Sequence, residues 1–245
     1  MPQVSMPQVS VVVPFFNEAA SLEQLARELR EVLAAQRIDA EIIAVDDGST
    51  DGGRQLMERI AGADHRFRVL AHARNLGQAA ALLTGFAAAR APITVTLDAD
   101  LQNRPADIPR LLEGLEGCDM VSGVRVDRQD VWSKRLASRI ANTVRNWMLQ
   151  DGVHDVGCSL KAYRTALLTD LPAFEGLHRF LPALLRARGA SLREVPVGHR
   201  PRLHGESHYD LWGRLGRGLR DLYRVRRMIR GGTLRSRSRP GQKGP

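Results

Sequence analysis

From Val9 to Val13 the chain is almost entirely β-branched, and Pro14 closes the run. That composition and length predict a short buried strand. The spacing then changes: Leu22, Leu25, Leu29, Val32 and Leu33 recur at three- and four-residue intervals and fall on one helical face. Ser21 and Gln24 stand at capping-box spacing and are expected to open that helix. Further strands are expected at Glu41 to Val45, around Val69 and Leu70, at Ile93 to Leu97 and at Met120 to Gly123, with helical stretches near 53–61 and 78–90. Alternation of this kind builds an α/β fold with a mainly parallel sheet flanked by helices.

Sheets of that type bind ligands beyond the carboxyl ends of their strands, so the residues just after each strand matter most. Asn17 and Glu18 follow the first strand. Asp46, Asp47, Gly48, Ser49 and Asp51 follow the second, and Asp98, Asp100 and Gln102 the fourth. Asp98-Ala99-Asp100 leaves a buried strand on a turning backbone, so its two carboxylates can converge on a hard cation such as magnesium or manganese. A lone D-x-D elsewhere would be an ordinary solvated turn. In DDGSTD the glycine suits a tight turn and the acceptors suit a nucleobase edge or ribose hydroxyls, while Ser49 or Asp51 also suits a helix cap. Arg202, Gly205 and Ser207 form either a clamp for phosphate oxygens or an ordinary loop. Arg125, after the Met120 strand, is a candidate anion ligand whose bland alternative is a surface salt bridge.

The chain has 245 residues, of which 43% are hydrophobic, enough for one large domain. Two cysteines, Cys118 and Cys158, make no disulfide framework and fit a reducing, cytoplasmic setting. No apolar run approaches the roughly 18 residues that span a bilayer, and the N-terminus carries no signal-peptide pattern, so any membrane contact is expected to be peripheral. The opening MPQVS is repeated at residues 6–10 and carries no functional weight. The formal charge of +9 is concentrated: residues 211–245 hold ten Arg and one Lys against Asp221 alone. A near-neutral domain followed by such a segment predicts an attachment device. The expected organisation is a disordered N-terminus at 1–8, a catalytic domain at 9–210, an amphipathic basic helix at 211–230 and a disordered tail at 231–245. In that helix Leu211, Trp212, Leu215, Leu219, Leu222, Tyr223 and Ile229 alternate with arginines, which suits a helix lying on anionic headgroups. A second amphipathic stretch, from Trp132 through Leu136, Ile140, Val144 and Trp147 to Met148, has Lys134, Arg135, Ser138, Arg139 and Arg145 between its apolar positions. It suits either lipid or the protein's own core.

Six segments, VVVPFFNE (11–18), IIAVDDGSTDG (42–52), RNLGQAAAL (74–82), VTLDADLQNRPADIP (95–109), DVGCSLKAYR (155–164) and RLHGESHY (202–209), occur in an order that resembles the family 2 glycosyltransferases. DADLQ and R-x-x-G-x-S-x-Y are similar to the dolichyl-phosphate mannosyltransferase branch, with its bacterial undecaprenyl-phosphate glycosyltransferases. The resemblance implies a GT-A, Rossmann-like fold and inverting transfer from a UDP- or GDP-sugar to a polyprenyl phosphate at the cytoplasmic face of a membrane. By position it assigns Pro14, Asn17, Glu18, Asp46, Asp47 and Arg74 to the nucleoside pocket. Asp98, Asp100 and Gln102 would hold Mg2+ or Mn2+, with Asp98 and Asp100 also the catalytic pair. Arg202 and Ser207 would grip the diphosphate, and Arg125, Lys134 and Arg135 the acceptor phosphate. Many relatives of this branch carry C-terminal transmembrane helices, whereas this sequence ends in a polar tail, so a polysaccharide, another lipid or a small molecule is the alternative acceptor. A nucleotide-sugar pyrophosphorylase is disfavoured because PFFNEAASL is not a Gly-rich activating loop. A nucleic-acid binder is disfavoured by the acidic strand ends, which would repel phosphate.

Overall fold

The computed structural model describes residues 6–126, 143–201 and 211–231. In chain order the strands are β1 (Val9–Phe15), β2 (Ala40–Asp46), β3 (Phe67–Ala71), β4 (Ile93–Thr96), β5 (Met120–Arg125), β6 (Lys161–Arg164) and β7 (Leu192–Val197). The helices are α1 (Ala19–Ala35), α2 (Gly53–Ala63), α3 (Gln78–Ala88), α4 (Ile108–Gly114), α5 (residues 143–149), α6 (Leu177–Ala187) and α7 (Leu211–Arg230). The strands form one sheet in the order β3-β2-β1-β4-β6-β5-β7. Pairing is parallel except where β6 runs antiparallel between β4 and β5.

Because side chains alternate along a strand, β1 feeds two cores. Val9, Val11, Val13 and Phe15 pack with Leu22, Leu25 and Leu29 of α1. Val12 points the other way, joining Ile43 and Val45 of β2 and residues of α3, α6 and α7. Helix α3 lies very close to β1 there: a Cβ on Gly85 would stand 2.3 Å from Val12 Cγ1.

The capping box expected at Ser21 and Gln24 does not form. Helix α1 begins at Ala19, and its leading amide Ala19 N–H donates to Asp51 Oδ2 at 2.8 Å, from the loop after β2. The Ser21 hydroxyl turns back to the Glu18 carbonyl, and Gln24 bonds Glu28 instead. A cap contributed from thirty-two residues away leaves no local spacing to read.

Of the stretch expected to be amphipathic from Trp132 to Met148, the part up to residue 142 lies outside the described residues, as do Lys134 and Arg135. In α5 Met148 packs against the core, one of the two expected placements, but the neighbouring positions are exchanged. Arg145 is 5% exposed and pairs with Asp151, whereas Trp147 is 75% exposed. Arg145 also donates to the Val153 carbonyl, so the polar residue is drawn inward by partners downstream in the chain.

Helix α7 is two-sided. Leu222 and Val225 are buried in the core that α6 lines, and Arg224 sits over the Phe174 ring at 5.8 Å. Leu219 and Tyr223 face outward, with Arg220 and Arg227 exposed beside them. Asp221, the segment's single acid, lies against the start of α6, where a Cβ on Gly176 would come within 2.3 Å of its carboxylate.

Substituting Gly85→Ala forces α3 away from Val12 and is expected to destabilise the fold by about 1–3 kcal/mol, measured by urea unfolding.

Candidate active site

Strands β2, β1 and β4 are neighbours in the sheet, and their carboxyl ends bring the three polar loops side by side. The loops after β1 and β2 hold each other. Asn17, in a left-handed conformation at φ 53, donates its amide N–H to Ser49 Oγ at 3.0 Å and accepts from Thr50 N–H at 2.8 Å through its side-chain oxygen. Glu18 stands beside it and accepts from the Ser21 hydroxyl at 3.3 Å. Pro14 is buried within β1, in register with Val45.

Most acids of the β2 loop are answered by backbone amides. Asp46, 1% exposed, accepts from Ser49 N–H three residues on at 2.9 Å, closing the loop on itself. Asp47, 3% exposed, accepts from Leu76 N–H and Gly77 N–H at 2.9 and 2.8 Å and pairs with His72 Nδ1 at 2.8 Å. Its carboxylate therefore pins the 72–77 loop, on which Arg74 is exposed. The close passage of that loop demands a glycine at 48, where φ is +79 and a Cβ would meet the Arg74 carbonyl carbon at 2.5 Å. Asp51 accepts from Gly53 N–H at the start of α2 as well as from Ala19 N–H of α1, so the capping reading of DDGSTD holds through Asp51.

At the end of β4 the balance differs. Asp98 accepts from Gln78 Nε2 at 2.8 Å, and Asp100 accepts from Gln102 N–H at 3.1 Å. Between Asp100 and Gln102, Leu101 adopts a left-handed backbone (φ 62) with its side chain 1% exposed in the core. Burial, reinforced by the neighbouring Asp100 carboxylate, pushes the Asp98 carboxyl up to about 6; Ser159, Lys161 and Gln78 oppose the shift. Two adjacent carboxylates with too little positive charge around them fit a divalent cation. Among the described residues no group of three His, Cys, Asp or Glu side chains converges on a metal. Asp98 and Asp100, with Gln102 alongside, are candidate donors, a set that would suit a magnesium-like ion keeping waters or substrate phosphates as its other ligands.

A cavity of about 360 Å3 opens beside Asp98, with Leu82 and Phe86 of α3, Lys161 of β6, and His178 and Arg179 of α6 in its walls. Lys161 is 3% exposed and donates to the carbonyls of Val156 and Cys158; burial pulls its pKa down. DVGCSLKAYR stands out along the chain as a motif but carries no sign of a role for Ser159 or Lys161, because only the antiparallel entry of β6 beside β4 brings them to Asp98. Arg125 forks onto Asp155, its Nε and one terminal nitrogen each 2.8 Å from a carboxylate oxygen, and is half-buried. Arg202 and Ser207 lie outside the described residues.

The fold and the acid-lined sheet edge are those of a GT-A domain. Its architecture is shared with glucosyl-3-phosphoglycerate synthase from Mycobacterium tuberculosis, solved with Mn2+, UDP and glucosyl-3-phosphoglycerate, at TM-score 0.66 and 23% identity over 92% of this chain and 80% of that one. The chain belongs to the glycosyl transferase family 2, whose model matches residues 10–171. It is 39% identical over 203 residues to the undecaprenyl-phosphate 4-deoxy-4-formamido-L-arabinose transferase of Pseudomonas fluorescens, covering 82% of this chain and 60% of that protein. The protein of the same name from Aeromonas hydrophila is 39% identical over 207 residues, covering 83% and 63%. The chain thus spans about three fifths of the length of these relatives.

The raised Asp98 carboxyl has a stability consequence. Its ordinary value is 3.8 and its folded value about 6, so the folded state favours the proton. The stability this provides is complete below the ordinary value and lost as pH rises through 6. At pH 7.5 without metal the ionised group is therefore a burden, and Asp98→Asn is expected to raise stability by roughly 1–3 kcal/mol in EDTA. Thermal unfolding at pH 7.5 and pH 4 checks this, with the gain confined to the higher pH.

Proposed function

We propose that the chain transfers a sugar from a UDP- or GDP-linked donor to a polyprenyl phosphate, with inversion, using Mg2+ or Mn2+ held by Asp98 and Asp100. The observation that carries this reading is the meeting of three polar loops at the ends of β2, β1 and β4. There β2 lies on one side of β1 and β4 on the other, which makes the crevice a topological switch point. Asn17, Glu18 and Asp46 are suited to the nucleoside, with Pro14, Asp47 and Arg74 shaping the walls. Asp98 and Asp100, one strand further along with Gln102, are suited to the diphosphate end.

A cation bound there would neutralise charge gathering on the departing nucleoside diphosphate. The chain's own contribution is positional: the loops fix the donor so that its anomeric carbon faces the acceptor. A phosphate oxygen of the lipid attacks that carbon from the side opposite the diphosphate. The new carbon–oxygen bond forms as the old one breaks, and the nucleoside diphosphate leaves with the electron pair. A lipid phosphate is already ionised near neutral pH, so the reaction requires no strong general base. Arg202 and Ser207 are assigned to the diphosphate and Arg125, Lys134 and Arg135 to the acceptor phosphate. Arg125 enters this role with its charge already shared with Asp155.

Two relatives at 39% identity are named for undecaprenyl phosphate, which supports a polyprenyl acceptor. No described helix is long and apolar enough to cross a membrane. Attachment is assigned to the outer face of α7, where Leu219 and Tyr223 are exposed among arginines. Removing α7 would also bare Leu222 and Val225, so surface charge reversal is the cleaner probe. Arg220→Glu with Arg227→Glu is expected to weaken binding to phosphatidylglycerol-rich vesicles roughly tenfold or more, read by co-sedimentation, with the melting temperature unchanged.

The reaction is tested with radiolabelled UDP- and GDP-sugars, undecaprenyl phosphate in detergent and manganese, followed by organic extraction. Extractable product is expected from the wild type, none with EDTA and none from Asp100→Ala. Full turnover in either control overturns the metal assignment. Nucleotide binding without lipid product would move the acceptor to another class.

A further inference from the structure

The segment entering β6, residues 156–160, passes beside the exit of β4 because the two strands are antiparallel. One residue of this strap meets the acid loop at both ends. Ser159 Oγ accepts from Asp98 N–H at 3.3 Å, where the loop begins, and from Asn103 Nδ2 at 2.7 Å, where it ends. The Ser159 carbonyl accepts from the Thr96 hydroxyl at 2.6 Å, in the last residue of β4. The strap is itself held from below by Lys161, whose ammonium donates to the carbonyls of Val156 and Cys158. Asn103 is 4% exposed and is kept in place by a bridge to His199.

We propose that Ser159 is a positioning residue for the metal carboxylates: its hydroxyl staples the two ends of the Asp98–Asn103 loop and so fixes the spacing of Asp98 and Asp100. The loop needs such a staple. Left-handed Leu101 stores strain in its middle, and Asp98 and Asp100 repel each other until a cation arrives. With the hydroxyl gone, Asp98 N–H and the Asn103 amide lose their shared acceptor and the carboxylates spread. Partners of this kind, one step removed from the ion, set metal affinity as well as geometry.

The inference rests on the metal reading above, and the experiment separates the two. Mn2+ binding to the full chain is followed by electron paramagnetic resonance in the presence of UDP and, separately, GDP. For Ser159→Ala the Mn2+ dissociation constant is expected to rise about tenfold to a hundredfold, while the melting temperature stays near that of the wild type. Ser159→Thr, which keeps the hydroxyl, is expected to recover most of the affinity. Unchanged Mn2+ affinity in Ser159→Ala overturns the positioning role and leaves the metal reading standing. Equal losses in the Ala and Thr variants also overturn it, since the hydroxyl would then not be the cause. Absence of Mn2+ binding by the wild type with either nucleotide overturns the metal reading, and this inference with it.

Discussion

A folded protein that gathers carboxylates at one edge of a sheet must answer their charge, and most of this domain's local architecture follows from how it does so. Asp46 is answered by the Ser49 amide, Asp47 by Leu76, Gly77 and His72, and Asp51 by the leading amides of both α1 and α2. The bonds of Asp47 and the bond from Asp51 to Ala19 N–H also tie one segment to another. The acids of the β2 loop are therefore the fastenings of the β1, β2 and β3 loops rather than a burden on them. At β4 the same solution is incomplete. Asp98 and Asp100 receive few amides, and the carboxyl of Asp98 is pushed up toward neutral pH. The edge thus divides into a part whose charge is internally satisfied and a part whose charge is less fully answered.

Much of this was legible in the sequence, for a physical reason. The run Val9 to Val13, the spacing of Leu22, Leu25 and Leu29, and the polar residues after each strand are local patterns, and each parallel strand delivers its following loop to the same edge. What the sequence concealed depends on distant partners. Ser21 sits at the right spacing for a cap, but Asp51 occupies that role from the next loop. Arg145 sits on a polar stripe, but Asp151 and the Val153 carbonyl draw it inward. Lys161 and Ser159 lie far along the chain from Asp98 and reach it only through the antiparallel pairing of β6 with β4. Helix–sheet alternation gives no warning of an inserted strand of opposite direction.

The C-terminal helix shows a different arrangement. In α7 the same helix supplies core and surface: Leu222 and Val225 seal the layer that contains α6, while Leu219, Tyr223 and the exposed arginines face away from it. Asp221 rests against Gly176 at the start of α6, and the first turn of α6 carries His178 and Arg179 into the cavity beside Asp98. The helix assigned to lipid contact and the wall of the cavity are therefore packed against each other without an intervening loop.

Leu101 shows why the acid motif is more than its letters. Holding a leucine in the left-handed region costs about 1–2 kcal/mol, and burying its side chain contributes about 1.5–3 kcal/mol, so the distortion persists because Leu101 drops into the core with Leu97, Ile108 and Leu111. The shape of the turn is borrowed from the hydrophobic interior beneath it. A protein engineer who transplanted Asp98 to Gln102 onto a foreign sheet would carry over the two acids and leave behind the socket that aims them.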